Sequence, residues 1–338
     1  MNNNKKIIKI AQIGCGYWGP NLLRNFSGLP QCFVKTLAEM DNERREYVRR
    51  QFPLTTVVSS VEEIFDDPEI DGVVVATPAA THFELARRAL EARKHVFVEK
   101  PLAKKVSEID ELDRLSKEND RQVMVGHTFL FSNPVRYVRK MIENGELGEI
   151  RYIYSQRLNL GRIRSDIDAL WNFAPHDISI IQYWLGDPEP TKVSRHGMNF
   201  IQNGIDDVVF LNIEYGKKII ANIHVSWLDP QKTRKIVVVG SKKMVVYDDV
   251  SDSKIMIHDK GIDQKAILGQ NMDYDKIGGP SFAYRSGDII SPEIAAYEPL
   301  KALAEHFVDC IRGNREPITG ISHAKKVVAI LEQASVFN

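Results

Sequence analysis

Apolar runs of four to seven residues alternate with amphipathic stretches through the first third of the chain. The runs predict strands at 7–13, 33–38, 72–76, 95–98 and 122–126, and the stretches between them predict helices at 19–27, 42–51, 60–66, 81–92 and 107–118. Strands that alternate with helices in this way form a parallel sheet covered on both faces. The pattern therefore predicts a Rossmann-type, doubly wound α/β domain at residues 1–127.

After residue 127 the pattern changes to a series of strands. A helix at 133–144 and a helix that carries His176 flank a strand near 149–160, and further apolar runs follow at 191–202, 205–215, 218–227, 234–240 and 243–248. Helices are predicted again at Glu298–Ile311 and from Ser322 onward. The series predicts, at residues 128–338, an α+β domain with an open, mostly antiparallel sheet. Because such a sheet needs cover on its second face, we expect a homo-oligomer joined through it.

The charge balance argues against several classes of partner. Lys plus Arg and Asp plus Glu number 45 each among 338 residues, so no net charge draws the chain to nucleic acid or to a membrane. The polar start and the lack of an apolar run of membrane-spanning length indicate a cytoplasmic protein without a signal peptide. The cysteines Cys15, Cys32 and Cys310 are widely spaced and odd in number, so we expect free thiols, no zinc site and a reducing compartment.

A glycine motif follows the first predicted strand and opens the first predicted helix. It has the form GxGxxG, with Gly14, Gly16 and Gly19. Gly14 permits a tight turn, Gly16 lets backbone amides approach a pyrophosphate, and Gly19 lets the helix pack closely on the strand. This context predicts a dinucleotide site. Tyr17 and Trp18 lie inside the loop, where a ring covers the pyrophosphate or substrate, or packs against a domain interface.

The acidic residue that selects the dinucleotide is Glu39, at the end of the second predicted strand and 20 residues beyond Gly19. A carboxylate there accepts hydrogen bonds from both ribose hydroxyls and repels a 2′-phosphate, so it favours NAD over NADP. Arg44 and Arg45 follow closely and offer charge to a phosphate, which softens that preference. The alternative is an exposed acidic residue that happens to follow a strand.

Two further stretches carry a resemblance to a known family. They are the loop and helix Ala76-Thr77-Pro78-Ala79-Ala80-Thr81-His82, and the strand and loop Val96-Phe97-Val98-Glu99-Lys100-Pro101. Together they resemble the glucose-fructose oxidoreductase, inositol dehydrogenase and rhizopine catabolism (Gfo/Idh/MocA) family, and the resemblance extends over essentially the whole chain. It implies that Thr77, Pro78, His82 and Glu99 border the nicotinamide end of the cofactor, and that Lys100 is the catalytic lysine.

The chemistry of Lys100 supports the same role. It follows an apolar strand, at the edge where open α/β sheets bind ligands. A lysine there hydrogen-bonds a substrate hydroxyl and favours the alkoxide that develops as hydride leaves. We therefore expect Lys100 to contact both cofactor and substrate. The alternative is a strand-end surface lysine paired with Glu99.

A second candidate for proton transfer is His176, in the predicted helix of the second domain. Members of the resembled family commonly carry an acidic residue four positions before this histidine, and Asn172 stands there instead. A histidine with a pKa near neutrality accepts the hydroxyl proton during hydride transfer. Asn172 cannot relay a proton, so we expect it to position a hydroxyl group or the histidine. Asp177 either orients His176 or caps a helix turn, and the alternative for His176 is a satisfied buried histidine.

The resemblance extends to the sugar-nucleotide branch of the family. Three segments carry this resemblance: residues 16–26, which include part of the glycine loop, residues 157–164, and Trp227-Leu228-Asp229-Pro230. The implied substrate contacts are Arg157, Asn159, Arg162 and Arg164, since guanidinium groups match phosphate oxygens. The alternative is a set of solvated charges on an edge strand. His127, at the crossover between the predicted domains, is expected to line the cleft.

The implied reaction is NAD-dependent oxidation of the 3-hydroxyl of a nucleotide sugar, foremost UDP-N-acetylglucosamine, feeding an aminotransferase in amino-sugar, lipid A or surface-glycan assembly. Alternatives are the uronate form of that sugar, the reverse 3-ketosugar reduction, a glycosidase that recycles bound NAD, and a non-catalytic NAD-binding regulator. The segment 278–292, rich in Gly, Pro and Ser, is predicted to be a mobile loop near the site or a neighbouring subunit, with Arg285 and Asp288 as its residues of interest.

Overall fold

The computed structural model describes residues 6–216, 218–265, 281–313 and 315–335. The described helices are α1 (Gly19–Ser27), α2 (Asn42–Gln51), α3 (Glu62–Phe65), α4 (His82–Glu91), α5 (Val106–Asn119), α6 (Asn133–Glu143), α7 (Ala169–Leu185), α8 (Pro299–Ile311) and α9 (Ile321–Ser335). The described strands are β1 (Ile8–Ile13), β2 (Cys32–Ala38), β3 (Thr56–Val58), β4 (Gly72–Val75), β5 (His95–Val98), β6 (Val123–Val125), β7 (Ile150–Leu160), β8 (Lys192–Met198), β9 (Val208–Tyr215), β10 (Ile219–Ser226), β11 (Leu228–Gly240), β12 (Met244–Asp248), β13 (Ile255–Lys265) and β14 (Ser281–Ile290).

The chain divides into two compact units. The first takes its described residues from 6–133, 178–187 and 296–335, and the second from 134–177 and 188–295. The carboxyl-terminal part of α7 and the helices α8 and α9 thus belong to the same unit as the amino-terminal strands. The functional division predicted after residue 127 stays a prediction.

The first unit contains a parallel sheet in the order β3-β2-β1-β4-β5-β6, as predicted for a Rossmann-type domain. The order reverses next to β1, so the carboxyl ends of β1 and β4 flank a crevice where ligands bind in such sheets. The short strand β3 lies outside the sequence prediction, because three half-exposed or exposed residues give no apolar run.

Helices α8 and α9 complete the core of this unit. The rings of Phe26, Phe97 and Phe307 meet edge to face with centroids 5.8–6.1 Å apart, so α8 fills the space between α1 and the sheet. The amide of Val125 donates to the carbonyl of Thr319 at 2.9 Å, and the Thr319 hydroxyl donates back to the carbonyl of Val125 at 2.7 Å. The edge strand β6 is therefore tied to the segment before α9.

The second unit is built on a sheet in the order β14-β13-β12-β11-β7-β10-β9-β8. Its strand pairs are antiparallel except for β7 with β10, which confirms the predicted open, mostly antiparallel sheet. One face is fully buried, with Ile153, Leu211 and Ile223 at zero exposure. The other face carries Tyr152 and Ile220, which pair across β7 and β10 and are about half exposed.

The prediction of a mobile loop at 278–292 is wrong for residues 281–290, which form β14, while residues 278–280 lie outside the described part of the chain. Pairing with β13 supplies the backbone hydrogen bonds that a Ser- and Gly-rich composition did not suggest. The Arg285 guanidinium contacts the carboxylate of Asp259 on β13 at 3.1 Å. Arg285 thus has a partner within this unit.

Candidate functional site

The glycine loop of the first unit has the geometry that its sequence predicts. Gly14 lies at φ +90°, and a Cβ there would come within 2.8 Å of the carbonyl oxygen of Ala76. A Cβ on Gly19 would lie 2.9 Å from the Gly14 carbonyl oxygen, whereas one on Gly16 would meet nothing closer than 3.8 Å. Gly14 and Gly19 are therefore required by the fold, and the surface over Gly16 is open to a ligand. These residues fit the pyrophosphate of a dinucleotide.

Two buried polar side chains hold the loop. The amide of Gln12, a residue outside the glycine motif, donates to the carbonyls of Gly14 and Gly19 at 2.9 and 3.0 Å. The carboxylate of Glu39 accepts from the backbone amides of Cys15 at 2.6 Å and Asp41 at 3.0 Å. Each carboxylate oxygen keeps a lone pair beyond these bonds, so Glu39 can also accept from ribose hydroxyls.

The two arginines near Glu39 differ in their surroundings. Arg45 donates to the carbonyls of Glu39 and Met40 at 2.9 and 2.7 Å, which uses its guanidinium on the backbone. Nη1 of Arg44 is the atom 3.8 Å from the Cβ position of Gly16. Arg44 is thus the better placed of the two to meet a ligand phosphate. Tyr17 in the same loop is 92% exposed, so its ring is available to a ligand.

The loops that follow β4 and β5 are joined by His82. Its Nδ1 lies 2.7 Å from the carbonyl oxygen of Pro101, and its Nε2 lies 2.9 Å from that of Thr77. Burial lowers the pKa of this imidazole, although both carbonyls favour its protonated form. Through His82, the Thr77-Pro78 loop and the Lys100-Pro101 loop are held together at the carboxyl edge of the sheet. Pro78 is exposed there, and Thr77 is half-buried.

Glu99 is a buried carboxylate at the same edge. It accepts a hydrogen bond from the side chain of Trp18, and a Cβ on Gly126 would lie only 2.9 Å from its Oε1. Within the described structure Oε1 has no hydrogen-bond partner. Burial raises the pKa of Glu99 to about 7, against the opposing effect of Lys100. The carboxyl group therefore changes charge near neutral pH, immediately beside Lys100.

This pKa predicts a pH-dependent stability. The folded chain keeps the Glu99 proton up to about pH 7, whereas the unfolded chain loses it near pH 4.5, so stability falls as the pH rises through that window and stays lower above it. Glu99→Gln removes the effect and is expected to raise the free energy of unfolding at pH 8 by about 2–3 kcal/mol, with little change at pH 4.5. Urea unfolding of both proteins at the two pH values measures the difference.

The control for this prediction is Glu118→Gln, which alters an exposed carboxylate paired with Arg114 at 2.6 Å. That variant is expected to shift stability by less than about 0.5 kcal/mol at pH 8. Equal stabilities of wild type and Glu99→Gln at pH 8 would show that Glu99 is already ionised at no cost.

His127, after β6, begins a chain of buried polar groups in the first unit. Its ring meets that of His323 edge to face at 5.4 Å. His323 in turn contacts the carboxylate of Asp187 at 2.8 Å and the hydroxyl of Ser179 at 2.9 Å. Burial, with the charges of His323 and Lys100, holds the pKa of His127 well below its usual range. His127 is therefore neutral at pH 7, and no described residue hydrogen-bonds its Nδ1.

The carboxyl ends of β1, β4, β5 and β6 thus gather the predicted cofactor residues in one unit. Lys100 lies half-buried at this edge, between Glu99 and the loop held by His82. Its positive charge acts to lower the pKa of Glu99, His82 and His127. Its catalytic role stays a prediction. His323 and Asp187 had no local sequence signal, because they reach this edge from the last helix and from the end of α7.

In the second unit, α7 carries the other candidates. Asn172 and His176 are four residues apart on this helix, so they share one face, and both are half-buried. Pro175 lies inside the helix and lacks the amide hydrogen that would bond the carbonyl one turn earlier. The predicted roles of Asn172 and His176 in the reaction stay predictions.

Asp177, the next residue, has a structural partner. Its carboxylate accepts from Arg157 Nε at 2.6 Å, from Arg157 Nη2 at 3.2 Å and from the Ser155 hydroxyl at 2.7 Å. Burial acts to lower the pKa of the Arg157 guanidinium, but the Asp177 carboxylate outweighs it and the net shift is upward. Asp177 anchors α7 to β7. This contact fixes the position of the neighbouring residue, His176, relative to β7.

The alternative that these arginines lie on an edge strand is wrong for Arg157. β7 is an interior strand between β11 and β10, and Arg157 is 4% exposed. Arg162 and Arg164 follow the strand in an irregular segment, where Arg162 is exposed and Arg164 pairs with Asp166 at 2.5 Å. Arg157 is therefore buried in the sheet, whereas Arg162 and Arg164 reach solvent. The phosphate contacts predicted for these three arginines stay predictions.

Arg234 on β11 is a site candidate without a sequence signal. It donates to the carbonyl of Leu158 at 2.8 Å and to the side-chain oxygen of Asn159, and its guanidinium lies 5.2 Å from the centre of the Phe173 ring. Burial and the nearby Arg157 lower its pKa to about 10. Arg234 thus contacts Asn159 at the end of β7 and Phe173 on α7, three residues before His176. Only the pairing of β11 with β7 places it there.

Several other predictions can be compared with the described residues. Cys15, Cys32 and Cys310 are buried and unbridged, as expected. No three or more His, Cys, Asp or Glu side chains in the described ranges cluster in a way that would hold a metal ion. In the same ranges, no helix is both long and apolar enough to cross a membrane.

Two family models match the chain. The NAD-binding Rossmann fold of the GFO/IDH/MocA oxidoreductase family matches residues 8–127, and the C-terminal domain of the same family matches residues 135–246. Together they cover more than half of the chain. The prediction of NAD as the cofactor is confirmed by the first match and by the fit of the glycine loop.

Named relatives catalyse different reactions. The 2,7-anhydro-N-acetylneuraminate hydratase of Escherichia coli (strain K12) is 26% identical over 72% of this chain and 68% of its own. The scyllo-inositol 2-dehydrogenase (NAD(+)) of Bacillus subtilis (strain 168) is 24% identical over 92% and 88%. The aligned region covers between 37% and 88% of the length of each curated relative.

Among solved structures, UDP-N-acetylglucosamine 3-dehydrogenase from Acidithiobacillus ferrooxidans superposes with a TM-score of 0.79. It is 20% identical to this chain, and the match covers 97% of each chain. At this identity the likeness establishes the fold.

Proposed function

Because the chain belongs to the Gfo/Idh/MocA family of NAD-binding oxidoreductases, we propose that it oxidises a hydroxyl group of a nucleotide sugar, foremost the 3-hydroxyl of UDP-N-acetylglucosamine. One observation carries the proposal. The glycine loop, the Thr77 loop, Lys100 and His127 converge at the carboxyl edge of one parallel sheet. Under this proposal residues 1–127 bind the dinucleotide and residues 128–338 contribute the substrate-binding side chains.

The chemistry divides between two side chains. Lys100 hydrogen-bonds the substrate hydroxyl and stabilises negative charge on its oxygen as the carbon becomes a carbonyl. His176 accepts the hydroxyl proton, and Asn172, one turn earlier on the same helix face, donates or accepts a hydrogen bond that orients the sugar. NAD, when bound, supplies the hydride acceptor. The alcohol loses one hydride and one proton, and the products are a ketone, NADH and a proton.

The buried groups around Lys100 adapt the site to this reaction. Neutral His127 presents no competing positive charge to the lysine at pH 7. Glu99, which is next to Lys100, has a pKa near neutrality. Its ionisation therefore adjusts the charge around Lys100 as the substrate hydroxyl loses its proton. Arg157, Asn159, Arg162 and Arg164 are proposed to contact the diphosphate or the uridine, and the guanidinium of Arg234 extends that set.

The nature of the product suggests where the enzyme works. A 3-keto sugar is reactive and unfavourable to accumulate, so we infer that an aminotransferase consumes it in amino-sugar assembly. NAD and nucleotide sugars are substrates of the cytoplasm, and the three unbridged cysteines suit a reducing compartment. The same site also supports reduction of a 3-keto sugar, or oxidation of the uronate form, because neither changes the reacting atoms.

A second candidate function has no net oxidation. The hydratase from E. coli is one of the named relatives, and the glycosidase and hydratase types of reaction both end without free NADH. An NAD-binding regulator without activity is the remaining alternative. The presence of Lys100 and His176 favours an enzyme over the regulator.

The test measures NADH formation at 340 nm with purified protein, NAD and a panel of UDP-sugars, with an aminotransferase and glutamate added to remove the ketone. We expect turnover with UDP-N-acetylglucosamine. Absence of NADH across the panel, with NAD binding intact, would contradict the oxidation. Mass spectrometry of the same mixtures then separates the rivals, since a hydrated or cleaved product without NADH indicates the recycling reaction.

We also propose that two chains associate through the open face of the second unit's sheet. Tyr152 and Ile220 are neighbours on that face and remain about half exposed. The stacked rings of Phe210 and His224, whose centroids are 4.2 Å apart, lie farther along the same face, beyond the pair Asn212 and Asn222. Exposed apolar area of this kind is typical of an interface. A partner copy covers it with its own equivalent face.

Ile220→Lys is the variant that tests this interface. Ile220 lies between Tyr152 on β7 and Glu214 on β9. A lysine there replaces apolar contact area with a charge that must be desolvated on association, so we expect the variant to sediment as a single chain where the wild type sediments as an oligomer. Val250→Lys, at an exposed turn after β12, is the matched control and should leave the oligomer intact. Sedimentation of the wild type as a single chain at micromolar concentration would contradict the proposal.

A further inference from the structure

A cavity of about 710 Å³ lies in the first unit, at the edge opposite to the glycine loop. It opens where β1, β4 and β5 begin, and its lining includes Ile8, Asp71 and His95 from the starts of these strands. Most of the polar side chains around it are basic: Lys6, Arg93, Lys94, His95, Arg121 and Arg312. This cavity is separate from the residues assigned to cofactor and substrate.

The positive charge of the lining is only partly neutralised. Asp71 is the one carboxylate among the cavity-lining residues, and it is paired with Lys6 at 2.6 Å. Arg121 and Arg312 donate to backbone carbonyls, those of Arg93, Asp120 and Lys6, which carry no formal charge. Three arginines therefore bring charge to the cavity without a carboxylate partner in its lining.

The other two basic groups contribute less. Burial lowers the pKa of the His95 imidazole to about 4, so this ring is neutral at pH 7. Lys94 donates to the carbonyls of Asp67 and Ile70 at 2.6 and 3.2 Å, and burial lowers its pKa as well. Since Lys94, like Arg121 and Arg312, donates to backbone carbonyls, the positive charge of the lining comes from the three arginines together with Lys94.

Helix termini reduce this charge without cancelling it. Helices α4, α5 and α8 end within two residues of Arg93, Arg121 and Arg312 respectively. A helix carboxyl end carries roughly half a negative charge, so three such ends offset about one and a half of three arginine charges. The side chains that line the cavity keep a net positive charge, while Asp67 and Asp120 act on Lys94 and His95 from outside the lining. Moreover, Nε of Arg312 is buried without a hydrogen-bond partner among the described residues.

We propose that this cavity binds a small polyanion with two linked phosphate groups. Guanidinium groups bind phosphate oxygens with two parallel hydrogen bonds, and three arginines line this cavity. The volume falls in the range that encloses a small-molecule ligand. A diphosphate group brings the two or more negative charges that the lining leaves unbalanced. The proposal does not depend on the reaction assigned to the opposite edge.

The test titrates inorganic pyrophosphate into protein saturated with NAD, by calorimetry at low salt. NAD occupies the glycine loop, so pyrophosphate reports on the remaining sites. We expect the wild type to bind pyrophosphate, and the binding at this cavity is the part that the cavity variants remove. Arg121→Gln and Arg312→Gln should each weaken it at least tenfold, because each removes a charged hydrogen-bond donor. Orthophosphate, with a single phosphate group, should bind at least tenfold more weakly.

Two further variants keep the result interpretable. Arg50→Gln removes an exposed arginine at the end of α2, outside the cavity, and should leave affinity within twofold of wild type. Arg93 lies at φ +56°, a conformation that glycine adopts freely, so Arg93→Gly removes charge while it preserves the backbone. A folded Arg93→Gly variant with at least tenfold weaker binding supports the proposal even if another variant fails to fold. Absence of binding, or equal binding by all cavity variants, overturns it.

Discussion

Lys100→Met is expected to lower kcat for alcohol oxidation by about 10³-fold, because the variant loses the charged donor that stabilises the developing alkoxide. NAD affinity should change much less than kcat, since the glycine loop and Glu39 are further cofactor groups that the substitution does not touch. Methionine keeps the unbranched apolar stem of the side chain and lacks the terminal ammonium group, which carries the charge and the hydrogen-bond donors. Steady-state NADH formation gives kcat, and quenching of protein fluorescence by NAD gives the affinity.

Lys104→Met provides the matched control, because Lys104 is an exposed lysine four residues farther along the same loop. It should retain wild-type kcat within about twofold. A Lys100→Met enzyme that keeps more than a tenth of wild-type kcat would remove Lys100 from the chemistry. In that case His176 would be the remaining candidate, and the assignment of the reacting edge to β5 would fail with it.

Asp177→Asn is expected to lower the free energy of unfolding by about 3–5 kcal/mol, because it leaves the Arg157 guanidinium buried without its counter-charge. The two residues are 1% and 4% exposed, and three hydrogen bonds converge on the carboxylate from Arg157 and Ser155. Urea unfolding at pH 7, monitored by circular dichroism, measures the loss.

Asp166→Asn alters a carboxylate in an exposed pair with Arg164, and it is expected to cost less than about 1 kcal/mol. The contrast tests burial, since both substitutions remove one charge from an arginine-aspartate pair. Arg157→Met combined with Asp177→Leu should recover much of the stability lost by Asp177→Asn, because it removes both buried charges together. Equal destabilisation by Asp177→Asn and Asp166→Asn would show that the buried pair is solvated.

The sequence predicts the first unit well because its signals are local. Gly14, Gly16 and Gly19 occupy fixed offsets after an apolar strand, and each glycine has the close contact or open surface that its position implied. The parallel strands are short, buried and bounded by turn residues, so their limits agree with the structure within two residues. Only β3, with three residues and no apolar run, escapes this pattern.

The second unit is less predictable because its contacts are set by strand order. Arg157 reads as an edge residue from composition, yet β7 enters the middle of the sheet through pairing with β11 and β10. The same pairing brings Arg234 to Asn159 from 75 residues away. The spacing of nearby residues predicts neither the interior position of β7 nor the contact between Arg234 and Asn159. For β14, long-range pairing with β13 overrides a sequence rich in turn formers.

The origin of α8 and α9 at the far end of the chain constrains how the protein is made. Phe307 completes an aromatic cluster with Phe26 and Phe97, and Thr319 ties down the edge strand β6. A ribosome adds about 5–20 residues per second, so the nascent amino-terminal sheet waits on the order of ten to forty seconds for these partners. Throughout that interval its apolar surface is open to chaperones and to other nascent chains. Loss of α8 and α9 by premature termination would therefore damage the dinucleotide-binding half, although the lesion lies far from that half along the chain.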